Sequence, residues 1–337
     1  MEYRNLGRTG VKVSTLCLGC MNFSDKTPEA ESIEMIDAAL EKGVNFLDTA
    51  NVYDQSEEVV GKALQRDGKR DRVVLATKVF GCMDQSDVNA RGNHRRHIMQ
   101  ACEQSLQRLR TDSIDLYQLH RPMSEIPIDE TLRALDDLIR AGKVRYIGTS
   151  CFPGWRLVES LWVAKELGLN RFVCEQLPYN ILERSAEREI IPAAQTYGFA
   201  LIPWGPLSGG FLTGKYHPGD KRPEGARYQM HRGTWFAERN FSDASFAVLD
   251  VVEKLAQVKG CTVSQFSLAW CAKQPGITSP IMGPTSMEQL LDNLGALEVD
   301  ITEEDEKQID QVAPPGKAIA SCYDNDDDID FRPAQFR

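Results

Sequence analysis

From residue 15 to about residue 296 the chain alternates short apolar runs with longer stretches whose apolar residues recur at spacings of three and four. The runs cover residues 15–20, 44–48, 73–78, 114–120, 144–150, 172–176, 199–204 and 277–283, eight in all. Between them, Ile33, Ile36, Ala39 and Leu40, or Leu132, Leu135, Leu138 and Ile139, have the spacing of a helix with one apolar face. Gly43, Gly142 and Gly168 stand where glycine closes a helix. Short strands buried on both faces and alternating with helices imply a parallel sheet. Eight such units, with no GxGxxG turn after the first run to favour an open sheet, predict a closed (β/α)8 TIM barrel of the α/β class.

The 337 residues fit one such domain, since barrels of roughly 250 residues plus insertions are routine. The expectation is a single domain over residues 1–337, with a barrel core at about 15–300 and a C-terminal tail at about 314–337. Ahead of the barrel, residues 2–14 read as an N-terminal β-hairpin around Gly7 and Gly10 that could plug one end. After the seventh strand, residues 214–243 form a long polar loop, too long for an ordinary connection. Its aromatics Tyr216, Tyr228, Trp235 and Phe236 predict that it orders against the body. The tail carries an acidic run, Asp324 and Asp326, Asp327 and Asp328, expected to be solvated.

A net charge of -10 argues against nucleic acid or an anionic membrane as a general partner, because binding there is driven by Lys and Arg displacing counterions. No run approaches the ~18 apolar residues of a membrane span, and the N-terminal MEYRNLGRTG lacks the apolar core of a signal peptide. The expected location is cytoplasmic. Nine scattered cysteines in a chain too long to need staples are expected to be mostly reduced. Cys17 and Cys20 form a CxxC, but residues three apart on a strand point to opposite faces, which speaks against a metal or redox pair.

In a parallel barrel the C-terminal ends of all strands converge on one mouth, where the chemistry of this fold sits. The runs end on or near Asp48, Lys78, His120, Ser150, Gln176, Trp204 and Gly283, with Tyr53 just past Asp48. Half-buried Asp48 and Lys78 would pair, because an unpaired buried charge is expensive. A Lys78 cation beside Tyr53 would stabilise the phenolate and pull the tyrosine pKa below its ordinary value of about 10, making it a usable proton donor. Asp48 would keep Lys78 charged and in place, and His120 could orient a carbonyl oxygen toward the tyrosine hydroxyl. None of the four is a good nucleophile or electron sink. A hydride donor fills that gap, because no side chain delivers a hydride.

FLDTANVYD, LATKVF and DLYQLHRP carry these four residues in the order and spacing of the aldo-keto reductases. The chain is similar to that family through GKVRYIGTS, EQLPYN, IPWGPLSGGFLTGKY and GPTSMEQLLDN, over about residues 1–300, and resembles in particular the bacterial members related to potassium-channel β subunits. The resemblance implies a barrel that binds NADPH in extended form across the mouth, with NADH the alternative, and reduces an aldehyde or ketone to an alcohol. Asp48, Tyr53, Lys78 and His120 would be its catalytic set. By position it puts Ser150 and Gln176 on the nicotinamide carboxamide, Trp204 on the ring, and Gly205, Pro206, Leu207, Ser208 and Gly210 along the pyrophosphate. Gly283, Thr285, Gln289, Asp292 and Asn293 would hold the adenosine end. Glycines at 209, 210 and 214 let backbone amides come close to phosphate oxygens.

Two positions depart from the family pattern. Cys151 stands where asparagine usually follows the serine, so one contact to the nicotinamide is weakened or replaced. Gln289 stands where an arginine often grips the 2′-phosphate, so Lys215 and Arg227 of the long loop, similar to loop cations of some relatives, are expected to supply that charge. Phe23, Phe80, Trp155 and Trp204, with Trp235 of the long loop, are the candidate walls of a partly apolar substrate pocket. It would take a small-molecule carbonyl: an aldehyde, a dicarbonyl or a keto sugar. No metal, nucleic acid or membrane insertion is implied, and the oligomeric state is open. Two other functions use the same fold. Regulatory subunits of potassium channels resemble this chain at the aspartate, tyrosine and lysine but lack the histidine, here His120. A metal-dependent hydrolase needs a His/Asp/Glu cluster at the strand ends, whereas His94, His97, His217 and His231 fall in loops or helix starts.

Overall fold

The computed structural model describes residues 1–322, apart from the side chains of residues 236 and 237. The acidic run at Asp324 and 326–328 lies outside the described residues. An antiparallel hairpin, β1 (Tyr3–Asn5) and β2 (Lys12–Ser14), precedes eight parallel strands. These are β3 (Cys17–Gly19), β4 (Phe46–Asp48), β5 (Val74–Val79), β6 (Ile114–Leu119), β7 (Val144–Ser150), β8 (Phe172–Pro178), β9 (Ala200–Trp204) and β10 (Ile281–Met282). From β3 to β9 each strand pairs with the next, and β10 pairs with β3. The ring closes through a Leu201–Ile277 bridge, with the Thr278 N–H donating to Leu201 O at 2.9 Å. The chain is therefore the expected (β/α)8 barrel with its N-terminal hairpin. The eighth strand is shorter than the apolar run 277–283, because Pro280 has no N–H to give to a ladder; its carbonyl accepts from the Cys17 N–H at 2.9 Å.

Period-two alternation sorts each strand into an outer and an inner face. Outward-pointing Leu18, Leu47, Leu75, Tyr117, Leu119, Ile147, Leu177 and Leu201 join the apolar faces of the surrounding helices in the main core. In Glu29–Glu41 that face is Met35, Ile36 and Ala39; in Ile128–Arg140 it includes Leu132, Leu135 and Leu138. Each large apolar side chain so buried contributes roughly 1.5–3 kcal/mol. Inward-pointing Cys17, Phe46, Val74, Ala76, Leu116, Cys174, Ala200 and Ile202 make a second cluster, joined by Leu6 and Val13 of the hairpin region. The hairpin thus plugs one end, and Arg4 ties it down, donating to Ala272 O and Ile277 O at 2.7 and 2.9 Å. Cys17 belongs to the inner cluster and Cys20 to the outer one, as their spacing requires.

Two residues further along each inner face the chemistry changes. Phe46 gives way to Asp48, Ala76 to Lys78, Leu116 to Gln118 and then His120, Cys174 to Gln176, and Ile202 to Trp204. The barrel interior is apolar at the plugged end and polar at the mouth. On β7 this level is occupied by Gly148, where a Cβ would collide with Cys174 Sγ; its missing side chain makes room for Cys174 and Gln118.

The loop after β9 is ordered by its own aromatic cluster. Phe211, Tyr216, Tyr228, Phe241 and Phe246 pack with ring centroids 5.3–6.2 Å apart. The Tyr228 hydroxyl donates to Ser208 O at 2.7 Å. Arg222 lies over Phe241 at 3.8 Å while its guanidinium grips Glu238 at 2.9 and 2.6 Å. Among the described residues no helix is long and apolar enough to cross a membrane.

Candidate active site

Asp48 ends β4, Lys78 stands one residue before the end of β5, His120 follows β6 directly, and the turn after β4 brings Tyr53 over them. Lys78 Nζ lies 2.5 Å from Asp48 Oδ1, donates to Thr49 O at 2.9 Å and reaches the Tyr53 hydroxyl at 3.4 Å. That hydroxyl is 3.3 Å from His120 Nε2, with the two rings edge to face. The other carboxylate oxygen of Asp48 accepts from Gln118 Nε2 at 3.0 Å and from Gln176 Nε2 at 2.9 Å. Such full satisfaction is what a buried ion pair needs to be tolerated. Sequence reasoning misses Gln118; its signal was its place two residues before His120, on the same strand face.

Lys78 is fully buried and Asp48 nearly so. Burial alone would lower the Lys78 pKa, but the Asp48 carboxylate outweighs it and keeps the ammonium charged. Burial pushes His120 well below its ordinary value, with the Lys78 and Arg121 cations adding to the effect, so the imidazole is neutral. For Tyr53 the direction is opposite to the expectation from sequence. Burial raises its pKa, and the pull of Lys78 in the other direction does not overcome it. The hydroxyl is protonated at neutral pH.

Above these residues opens a cavity of about 1070 Å³, beyond the roughly 300–1,000 Å³ common for ligand sites. Asp48, Tyr53 and His120 line one end, followed by Ser150, Gln176 and Trp204; Gly205, Pro206, Leu207, Ser208, Gly209 and Gly210 run along it. Lys215, Arg227, Gly283, Thr285, Gln289, Asp292 and Asn293 line the remainder. Cys151 stands apart from the lining. It is buried behind the wall, its N–H donating to Gln176 O at 2.9 Å and its sulfur accepting from Arg121 at 3.1 Å.

Gln289 is turned back, its Oε1 accepting from the Thr285 N–H and hydroxyl at 2.9 and 3.1 Å. The Asp292 carboxylate is likewise engaged, by Thr262 at 3.1 Å and Gln265 at 3.0 Å. Lys26, which the sequence did not single out, lines the cavity with Lys215 and Arg227. Burial and then the charge of Arg227 hold both lysines below their ordinary pKa. Met21, Arg121, Arg239 and Cys322 also line the cavity without having been expected. Cys322 arrives there because the C-terminal segment folds back onto the loop after β8, with the Ile319 N–H donating to Leu182 O at 2.8 Å and the Cys322 N–H to Glu183 Oε2 at 2.7 Å.

Of the expected pocket aromatics Trp204 lines the cavity, whereas Phe23, Phe80, Trp155 and Trp235 are not among its lining residues. Phe23 is fully buried in the main core. Phe80 is half-buried outside the cavity. Trp155 opens the outer helix Gly154–Leu167, 36% exposed, with Arg156 over its ring. Trp235 packs under Arg239 at 5.1 Å. Following a strand closely does not by itself aim a side chain into the mouth, because the loop's path decides it.

Comparison with known proteins places this barrel in a family. The sequence model described as "Aldo/keto reductase family" matches residues 15–314, and the chain belongs to that family. It is an oxidoreductase acting on carbonyl groups, in a family that generally uses NAD(P)H and takes small carbonyl substrates. The chain is 37% identical to an uncharacterized oxidoreductase, YrpG, of Bacillus subtilis (strain 168), over 96% of this chain and 99% of that protein. It is 35% identical to a probable voltage-gated potassium channel subunit beta of Oryza sativa subsp. japonica, over 89% of this chain and 92% of the other. Versiconal hemiacetal acetate reductase of Aspergillus parasiticus is 34% identical, over 95% and 98%.

Proposed function

We propose that the protein reduces the carbonyl of a small aldehyde or ketone with NADPH, and that Tyr53 gives the proton. The observation that carries this reading is the Tyr53 hydroxyl at the cavity wall, 3.3 Å from a neutral imidazole and 3.4 Å from a buried ammonium.

The cavity's chemistry fits a dinucleotide phosphate. Lys26, Lys215 and Arg227 repel one another across it, and such a cluster is relieved by an anion. Beside them Ser208, Gly209 and Gly210 have φ of 47°, 63° and 97°; the Ser208 and Gly210 N–H groups are taken by Gly205 O and Leu207 O at 2.8 and 2.9 Å, and the two glycines, without side chains, leave room for a phosphate to come close to the chain. These residues would hold the phosphates, Trp204 and Ser150 the nicotinamide end. With Gln289 uncharged and folded onto Thr285, the preference for NADPH over NADH would rest on the three cations.

A reduced nicotinamide, when bound, supplies the hydride that no side chain can. Tyr53 donates its proton to the carbonyl oxygen as charge builds there. His120, neutral and held beside the hydroxyl, orients that oxygen without competing as a second cation. Lys78 then stabilises the phenolate left behind, and Asp48, fixed by Gln118 and Gln176, keeps Lys78 in place. Positioned acid catalysis of this kind is worth roughly 10²- to 10⁴-fold. Nine free cysteines suit a reducing compartment, which supports a cytoplasmic location.

The test is NADPH oxidation with a reactive aldehyde such as 4-nitrobenzaldehyde. Tyr53→Phe should lower kcat by about 10²- to 10⁴-fold while NADPH still binds; undiminished turnover in that variant would remove Tyr53 from the proton-donor role. The similarity to a protein named as a channel subunit motivates a second reading, a cofactor-binding regulatory subunit with little turnover. Stable association with a membrane protein, together with no activity on a panel of aldehydes, dicarbonyls and keto sugars, would favour it over the first.

A further inference from the structure

One buried acid has no part in the chemistry described so far. Glu175 lies on β8 between Cys174 and Gln176, whose side chains point into the barrel, so its own side chain leaves by the outer face, where it is fully buried. A carboxyl group in such a place needs partners for its oxygens. It finds them at the end of β7 and in the turn that follows. The Thr149 hydroxyl donates to Oε2 at 2.5 Å, and the Phe152 N–H donates to Oε1 at 3.0 Å.

That turn contains Cys151, at φ 58°. A left-handed residue with a Cβ is disfavoured and persists only where its surroundings over-determine it. The peptide before Cys151 is pinned by its own N–H on Gln176 O at 2.9 Å; the peptide after it is pinned by Glu175. Arg121 holds the sulfur at 3.1 Å. The residue on the cavity side of this turn is Ser150, in register with Gln176.

We propose that Glu175 is a positioning residue for the nicotinamide end of the cavity: from behind the wall its carboxyl group holds the left-handed turn at Cys151 and, through it, the Ser150 hydroxyl. The inference rests on the NADPH reading above. It differs from a merely structural role in what it affects, since only the part of the ligand that Ser150 reaches should respond.

The experiment uses the full-length protein and two probes, NADPH and 2′,5′-ADP, which carries the adenosine and phosphate groups without the nicotinamide. Dissociation constants are measured for wild type, Glu175→Ala, Glu175→Gln and Glu175→Asp, each checked by thermal melting. Glu175→Ala is expected to weaken NADPH about tenfold, equivalent to about 1.4 kcal/mol, with 2′,5′-ADP unchanged within about twofold. Glu175→Gln restores NADPH binding, because its amide oxygen still accepts from the Phe152 N–H and its NH2 can donate to Thr149. Glu175→Asp, one methylene short of the turn, shows the same selective loss should the alanine variant fail to fold. Equal weakening of both probes, or no weakening of either, overturns the inference while leaving the functional reading standing. Wild-type protein that binds neither probe overturns both.

Discussion

At the Tyr53 end of the cavity the buried charges are answered from within the chain: Lys78 by Asp48, and Asp48 in turn by Gln118 and Gln176. At the Lys215 end three cations face one another, and Gln289 and Asp292, which might have tempered them, are engaged elsewhere. The first region stands on strand ends inside a closed barrel, where side-chain direction is dictated by the pleat. The second stands largely on a loop held by its own aromatic cluster. The difference separates two tasks. A proton donor must be in place before the substrate arrives, so its surroundings are complete without a ligand. A site for an anion keeps an excess of positive charge until the anion comes, here only partly offset by Asp25 beside Lys26 and by Glu224 on the cavity wall.

The comparison breaks most visibly if Lys78→Met leaves the protein as stable as before. Removing one partner strands a buried Asp48 carboxylate, and about 3–5 kcal/mol of stability should go with it, read as a lower denaturant midpoint at unchanged m-value. Next in size, Lys215→Ala combined with Arg227→Ala should leave the melting temperature nearly unchanged. It should raise the Kd for NADPH about 10- to 100-fold, since a hydrogen bond to a charged group is worth about 1.5–3 kcal/mol. NADH, which lacks the 2′-phosphate, should be weakened less than NADPH, and the salt dependence of NADPH binding should flatten.

A third measurement sharpens the contrast, because Glu175 is a buried acid whose charge is avoided rather than answered. Burial, against the pull of its hydrogen bonds, raises its pKa from 4.5 to about 8. Between those values the folded chain holds a proton that the unfolded chain has released. Stability is therefore full below pH 4.5 and declines as pH rises through that window, by up to about 1.4 kcal/mol per pH unit, levelling off above about pH 8. The groups facing it are Thr149, Phe152 N–H, Cys151 and Arg121, with Cys174 beside it on β8. Glu175→Gln should remove this component from unfolding curves recorded across the window, and identical pH profiles for variant and wild type would show that the carboxyl is ionised throughout.

What the sequence by itself determined is whatever short-range periodicity encodes. Eight apolar runs with helices between them implied the barrel, and the switch from apolar to polar along one strand face put Asp48, Lys78 and His120 at its mouth. Gln118 was legible by the same rule. What only the tertiary structure decided depends on burial and on loop paths, which are sums over the whole fold. Lys78 was readable as a neighbour of Tyr53, but whether its pull or the burial of the hydroxyl would prevail was not. Phe23, Phe80, Trp155 and Trp235 sit near strand ends or in the long loop, yet the backbone carries them into the core or outward. Lys26 and Arg227 are far apart in the chain, and no local pattern announces that two loops will bring them to one cavity. Local spacing fixes which way a side chain leaves a strand; only the closed barrel, with its loops folded over it, fixes what that side chain meets.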